Sequence, residues 1–535
     1  MNLEYLKDNE KILIKPQSKA ELRVIKEWFN RYVDGYMHDP MFKNRLWNGK
    51  RTKFDKETNT LPMGLWREVY KCCVDNGFEF NFENKKDFPL NRTIKKQLFE
   101  DFINDFFNGY EIDGNKFEAR PYQLRTAYNI LKNQYCNIAV ATGGGKTLIY
   151  TLTLFYLLNE DPNRKFLLVV PSKTLVTQFY DDITEFNWNN KLPINIKEIF
   201  DEGENPRTTD ETKEPNIIIG TFQSLSDSKK YPKKWFQQFY SVVGDEYHKG
   251  KSNSYKKIFR NSFNSAVYRW GMSGTFPKDE TYEMMEIMAK TGPVVDTVTA
   301  RELMDAGYLT QVKIKQIHVN HNDYDFRDRL ESVMKRDRKT AYDLECERIQ
   351  ESHERLHLIK DIVNKCKTNT LILFHNTEYG QKLFNFLNEH CEDKIFHYID
   401  GKVKENGTKK NPENSRKWIK SEMKKDDGKV RVLVASFGTL STGISISTIT
   451  NIIFTQSFKK PQVIIQSIGR ALRLFKGKKR AYIFDLIDVF NRDEYAYRFK
   501  TSFKNILKSH GEQRSKIYDE EDYPFDIIEV HLNEP

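Results

Sequence analysis

From about residue 116 to 300, short β-branched or apolar runs alternate with stretches of helical length: NIAVAT, FLLVVP, NIIIGT, SVVGDE and YRWGMSGT. Strands covered by helices on both faces need no polar alternation, so this rhythm predicts βαβ units around a buried parallel sheet. The rhythm returns in TLILFH, VRVLVAS, NIIFTQ and AYIFDLID, which predicts a second α/β layer. Between the two blocks, residues 322–360 carry mixed charges and read as solvated helices joining two lobes rather than as core. Residues 201–216 read as an exposed loop, and 401–417 as a loop running into a helix. The first hundred residues mix apolar stretches, turns and aromatics, which predicts a separate α+β domain. The expected boundaries fall at 1–110, 111–305 and 306–535, the last span including linker helices and a C-terminal extension.

Composition narrows the class. The chain has 535 residues, 39% hydrophobic and 13% aromatic, too rich in core-forming side chains for a disordered protein. It contains no apolar run of transmembrane length, and MNLEYLKDNEKILIK lacks the features of a secretory signal, so a cytoplasmic protein without membrane association is expected. Its six cysteines show no CxxC spacing, which argues against a zinc site or a disulfide scaffold. A net charge of +11 favours a polyanionic partner.

The chemistry begins at ATGGGKTLIY, residues 141–150. A strand, a glycine turn and then Lys-Thr opening a helix form the context of a phosphate loop. Backbone N–H groups of Gly143, Gly144, Gly145 and Lys146 are expected to cradle phosphates, with Lys146 reaching the terminal ones and Thr147 binding Mg²⁺. The strict pattern wants glycine at position 140, where this chain has Val140. Hydrolysis also needs carboxylates at the end of a neighbouring strand. SVVGDEYH supplies Asp245 for the metal side and Glu246 to orient and deprotonate water. QSIGRALR places Arg470 and Arg473 three apart on an expected helix, as cations for the transferring phosphoryl group.

In combination these segments resemble the ordered motif set of superfamily 2 helicases, from about residue 118 to 490. ARPYQ is similar to the adenine-side motif with Arg120 and Gln123. ATGGGKT (Thr142 to Thr147) and DEYH resemble motifs I and II, VVPSKTLVTQ motif Ia, GTFQSL motif Ib and SGT motif III. LILFHN resembles motif IV, VASFGTLSTGISI motif V and QSIGRALR motif VI. The resemblance implies two RecA-like lobes, ATP and Mg²⁺ as cofactors, and closure of one lobe on the other for catalysis. It assigns His248 and Gln466 to the γ-phosphate region, Gly443 to the nucleotide, and Ser172, Lys173, Thr221, Gln223, Thr439 and Thr442 to nucleic-acid backbone contact. Ser445 stands where many members carry an acidic residue.

The segment 41–66, MFKNRLWNGKRTKFDKETNTLPMGLW, resembles the N-terminal domain of phage UvsW-type helicases through Trp47-x-Gly49 and the Leu61 to Leu65 element. That family implies an ATP-dependent DNA helicase acting on forks, Holliday junctions and R-loops in recombination, replication and repair, with DNA and RNA–DNA hybrids as partners and a monomeric state. Basic residues outnumber acidic ones over residues 1–100, and Trp47 in the basic turn KNRLWNGKR is the residue expected to stack on a base. Two other readings stay open: an RNA helicase or restriction-type translocase subunit with the same motor, and a nucleic-acid binding or annealing protein for which ATP is only a switch.

Overall fold

The structure, a computed structural model, describes residues 1–7, 10–112, 114–201, 206–261, 266–402, 416–440, 446–458, 460–475, 477–490 and 503–532. They form two compact units: Met1–Ala141 with Gly145–Val298, and Thr299–Pro535 with Thr142–Gly144.

The first unit holds a seven-stranded, all-parallel sheet. Its strands run in the order Ile196–Ile199, Ile217–Thr221, Phe166–Val170, Ser241–Asp245, Tyr268–Ser273, Tyr135–Val140 and Val294–Val298. Its central strands are buried on both faces, as their unbroken apolar runs require. All five expected strands are present. The edge strands Ile196–Ile199 and Val294–Val298, short or polar-interrupted, carried no clear strand signal.

The N-terminal region adds a four-stranded mixed sheet, ordered Thr60–Pro62, Lys11–Lys15, Asn2–Leu6 and Asn81–Phe82. Rather than standing apart, it shares the first unit's core: Ile12, Leu61 and Met63 join one apolar cluster with Met284, Ile287 and Met288. The latter three lie on the helix Tyr282–Thr291. The approach is close enough that a Cβ on Gly64 would fall 2.2 Å from Met288 O, so glycine in the Leu-Pro-x-Gly-Leu element is a packing requirement. Beside this seam Arg269, wholly buried on the strand Tyr268–Ser273, donates from Nη1 to both carboxylate oxygens of Glu10 at 2.7 and 2.8 Å. Glu286 accepts from Lys53 and Lys256 at 2.7 and 2.9 Å.

The second unit holds another all-parallel seven-stranded sheet, ordered Lys394–Ile399, Val430–Ser436, Thr370–Phe374, Asn451–Phe454, Arg480–Val489, Gln311–His321 and Phe525–Leu532. Two RecA-like parallel sheets with an N-terminal α+β region are therefore the architecture. The charged span 322–360 corrects the expectation of solvated joining helices, because the strand Gln311–His321 precedes it and already belongs to this sheet. Its helices Tyr324–Arg336 and Arg338–Glu351 bury Leu330, Ala341 and Ile349 against Ile506 and Leu507. Glu345, fully buried, accepts from the backbone N–H groups of Ile506 and Leu507, both at 2.8 Å. Charges spaced along one helix face hid a narrow apolar stripe on the other.

Candidate active site

The phosphate loop runs from the buried end of the strand Tyr135–Val140 into the helix Lys146–Glu160. Only Gly143 and Gly145 have positive φ, +87° and +75°. Val140 is still in the strand, buried and extended, so the turn does not need glycine there. Lys146 opens the helix, and its ammonium donates to Val140 O at 3.4 Å. Backbone N–H groups at a helix N-terminus form an anion site, which suits a terminal phosphate.

Arg120 caps the helix Pro121–Asn133, and its backbone N–H donates to Gln123 Oε1 at 2.9 Å. Gln123 is 4% exposed, and its Nε2 lies 2.5 Å from where a Cβ on Gly145 would stand. The Gln123 amide oxygen is thus committed to the cap, and its nitrogen lies close against Gly145, which leaves no room there for a side chain. The carboxyl of Asp182, which burial raises above the usual carboxylate range, has Gln178 and the Thr147 side chain beside it.

The strand Ser241–Asp245 ends on the two carboxylates. Glu246 then takes the left-handed conformation, φ 46° and ψ 45°, a costly one for a residue with a Cβ. Tyr247 explains how the turn is held. Its wholly buried ring lies against two strand glycines, and a Cβ would fall 2.4 Å from the ring at Gly244 and 2.2 Å from it at Gly271. Tyr255 Oη donates to Asp245 O at 2.8 Å. Sequence reasoning passed over Tyr247, although a bulky ring between the acidic pair and a histidine, with glycines on both neighbouring strands, was a usable signal.

Burial and the charge of Glu246 push the Asp245 carboxyl up. Burial opposes ionisation of Glu246 as well, but the close contact with His248 and the charges of Lys146 and Lys249 outweigh it and hold the carboxyl down. His248 Nδ1 lies 2.9 Å from Ser273 Oγ and 3.3 Å from Glu246 Oε2. Since the Ser273 hydroxyl donates to Thr275 O at 2.7 Å, His248 Nδ1 is the donor to Ser273. The DEYH and SGT segments are thereby joined side chain to side chain, with one charged carboxylate at the junction.

Asp245 is 3% exposed, and its Oδ1 has no hydrogen-bond partner among the described residues. An orphaned buried carboxylate oxygen beside a threonine-bearing phosphate loop fits a hard divalent cation such as Mg²⁺, whose charge favours the ionised carboxylate.

In the second unit Gln466 and Arg470 lie one turn apart on the helix Pro461–Ala471. Arg473 lies beyond the last helical residue, which corrects the expectation that both arginines share a helix. Gly443 and Thr442 fall outside the described residues, as does Ser445. Thr439 is placed by its backbone in the short helix Phe437–Leu440.

The residues expected at nucleic acid differ among themselves. Ser172 caps the helix Lys173–Phe186, and its buried Oγ has no hydrogen-bond partner among the described residues. Lys173 Nζ sits 4.9 Å over the Phe200 ring, and Gln223 is exposed. Thr221 is 7% exposed and its hydroxyl accepts from Ser224 N at 3.3 Å, so it shapes its turn instead of presenting a free hydroxyl. Trp47 is half-buried: its indole N–H donates to Lys50 O at 2.8 Å, and the Arg51 guanidinium stands 5.7 Å from its ring. The ring therefore braces the basic turn and is not the free stacking platform that its neighbours suggested.

Known proteins resemble this chain over each of these regions. Residues 116–278 match the model for the type III restriction enzyme res subunit, 354–475 the helicase conserved C-terminal domain, and 5–83 the N-terminal domain of the DNA helicase UvsW. The chain is 28% identical over 517 residues to the ATP-dependent DNA helicase uvsW of Enterobacteria phage T4, covering 95% of each. It is 23% identical to putative helicase 22 of a Sulfolobus islandicus filamentous virus, over 91% of this chain and 82% of that protein. A DNA-bound type ISP restriction-modification enzyme shares the fold, with a TM-score of 0.56 at 15% identity over 88% of this chain and 36% of its own. With a UvsW-type N-terminal match and both helicase regions in one chain, this protein is a helicase similar along its length to the UvsW enzymes.

Proposed function

We propose that the protein is an ATP-dependent DNA helicase that remodels branched DNA, forks, Holliday junctions and R-loops among them, in phage recombination, replication and repair. The observation that carries the hydrolytic reading is the placement of Glu246 at the end of the strand Ser241–Asp245, its carboxylate 3.3 Å from His248 Nδ1, with the charge of Lys146 from the phosphate loop acting on it. A carboxylate that stays ionised at neutral pH keeps its oxygens open as acceptors, so it can orient the attacking water and receive its proton as the bond to phosphorus forms. Lys146 and the loop N–H groups bind the phosphates, Glu246 orients and deprotonates the attacking water, and Arg470 and Arg473 neutralise charge developing on the transferred group. Thr147 and Asp245 would hold a magnesium ion, which when bound neutralises phosphate charge. His248 keeps Glu246 charged and ties it to the SGT segment, while Gln466 and Gly443 complete the nucleotide contacts. Gln123 and Arg120 shape the adenine side.

DNA binding that fixes register without reading sequence suits Ser172, Lys173, Gln223, Thr439 and Thr442. Residues 1–110, with the basic turn that Trp47 braces, supply a second DNA-binding surface, with residues 111–305 and 306–535 as the motor halves. The T4 relative's printed name and a match over 95% of this chain support DNA as the substrate. Among the described residues no helix is long and apolar enough to cross a membrane, in keeping with action on DNA in a host cytoplasm. The test is strand separation on a forked DNA duplex by wild type and Lys146→Ala. Wild type is expected to displace the strand only with ATP, and the variant not at all. Displacement without ATP, or by Lys146→Ala at the wild-type rate, would overturn the reading.

A further inference from the structure

The helix bearing Gln466 and Arg470 ends at Ala471, and the chain beyond it is fixed by two residues of the same unit that no motif includes. Thr310 N donates to Leu472 O at 2.7 Å, and Thr310 Oγ1 donates to Arg473 O at 3.2 Å. Lys478 Nζ donates to the same Arg473 carbonyl at 3.0 Å, and also to Ile449 O at 2.6 Å and Ser447 O at 3.3 Å. An ammonium has three N–H donors and no acceptor. Here three carbonyls take all three.

The three carbonyls come from two stretches of chain. Ser447 and Ile449 directly follow the segment 434–446, whose resemblance is to motif V, and Arg473 closes the segment whose resemblance is to motif VI. Burial, with the Arg473 charge adding to it, pushes the Lys478 ammonium down to about 8. No carboxylate appears in any ion pair with Lys478 among the described residues. The residue therefore acts as a crosslink between backbone segments, and a surface counter-ion role does not account for its contacts.

We infer that Lys478, assisted by Thr310, is a positioning residue that locks the backbone of Arg473 in register with the segment leading out of the proposed nucleic-acid contacts. This rests on the proposed role of Arg473 in ATP hydrolysis. Lys478 spends its donors on backbone carbonyls, so its loss acts through Arg473 by displacing the guanidinium.

The experiment measures DNA-stimulated ATP turnover by the full chain carrying Lys478→Met, Thr310→Val, Arg473→Ala, and Lys478→Met with Arg473→Ala. Methionine keeps most of the apolar stem and removes the three donors. A displacement of the order of 1 Å costs about 10²-fold in rate, so kcat of Lys478→Met should fall by about that factor with KM for ATP unchanged. Thr310→Val, which deletes one hydroxyl, should fall less in the same pattern and covers the case in which the lysine variant does not fold. The double variant should be no slower than Arg473→Ala alone, because a residue acting through Arg473 has nothing left to position. Wild-type kcat in Lys478→Met, or losses that multiply in the double variant, would overturn the inference while leaving the role of Arg473 intact. Wild-type turnover in Arg473→Ala would instead overturn that role, and this inference with it.

Discussion

Glu246→Gln should still bind ATP while its turnover falls by about 10²–10⁴-fold, the range that a general base contributes. Glutamine keeps the shape of the side chain and its reach to His248, so the left-handed turn held by Tyr247 should survive. What is lost is the negative charge that His248 and Lys146 stabilise against burial. Without it the site holds water and phosphate but has no acceptor for the proton. The variant should therefore hold DNA longer in the presence of ATP than wild type does. Nucleotide binding read with a fluorescent ATP analogue, alongside multiple-turnover hydrolysis, separates the two steps. Hydrolysis at the wild-type rate would show that another group takes the proton, and loss of ATP binding would make Glu246 a phosphate-site residue.

Replacing Glu10 with alanine should destabilise the first unit by about 3–5 kcal/mol, the cost of stranding one member of a buried ion pair. The partner is Arg269, fully buried, whose Nε and Nη2 also donate to Lys290 O at 3.1 and 2.5 Å. Those bonds keep the guanidinium in place after its counter-charge is gone, so it cannot escape to water. Glu10→Gln, which retains an acceptor oxygen, should cost less. Thermal melting together with limited proteolysis of residues 1–110 reads the effect, because the pair sits at the seam where the N-terminal sheet joins the first unit's core. A wild-type melting temperature for Glu10→Ala would mean that the apolar seam through Met63 and Met288 carries the docking without the pair.

The central apolar strands of both sheets could be read from the chain, because strands buried on both faces are contiguous apolar runs, whereas Gln311–His321, Lys394–Ile399 and Phe525–Leu532, interrupted by polar residues, gave no such signal. What escaped lies in contacts between distant segments. Tyr247 matters through Gly244 and Gly271, three and twenty-four positions away. Thr221 looked like a hydroxyl for a phosphate, but a helix beginning at the next residue claims it as a cap. Arg473 continues the arginine spacing of its helix in sequence, yet the helix stops two residues earlier and Thr310 and Lys478 fix the rest. The N-terminal region reads as a separate domain because it precedes the strand–helix rhythm, while its core is closed by the helix Tyr282–Thr291, far along the chain from Ile12, Leu61 and Met63.

The central claim is that branched DNA drives ATP hydrolysis at this site. It is tested most directly by steady-state ATP turnover of the wild-type chain alone and with single-stranded DNA, a forked duplex, a Holliday junction and RNA, each at two salt concentrations. The account predicts low turnover alone and strong stimulation by the branched DNAs, weakening at the higher salt as phosphate contacts are screened. Stimulation by RNA alone, or none by any nucleic acid, would contradict it.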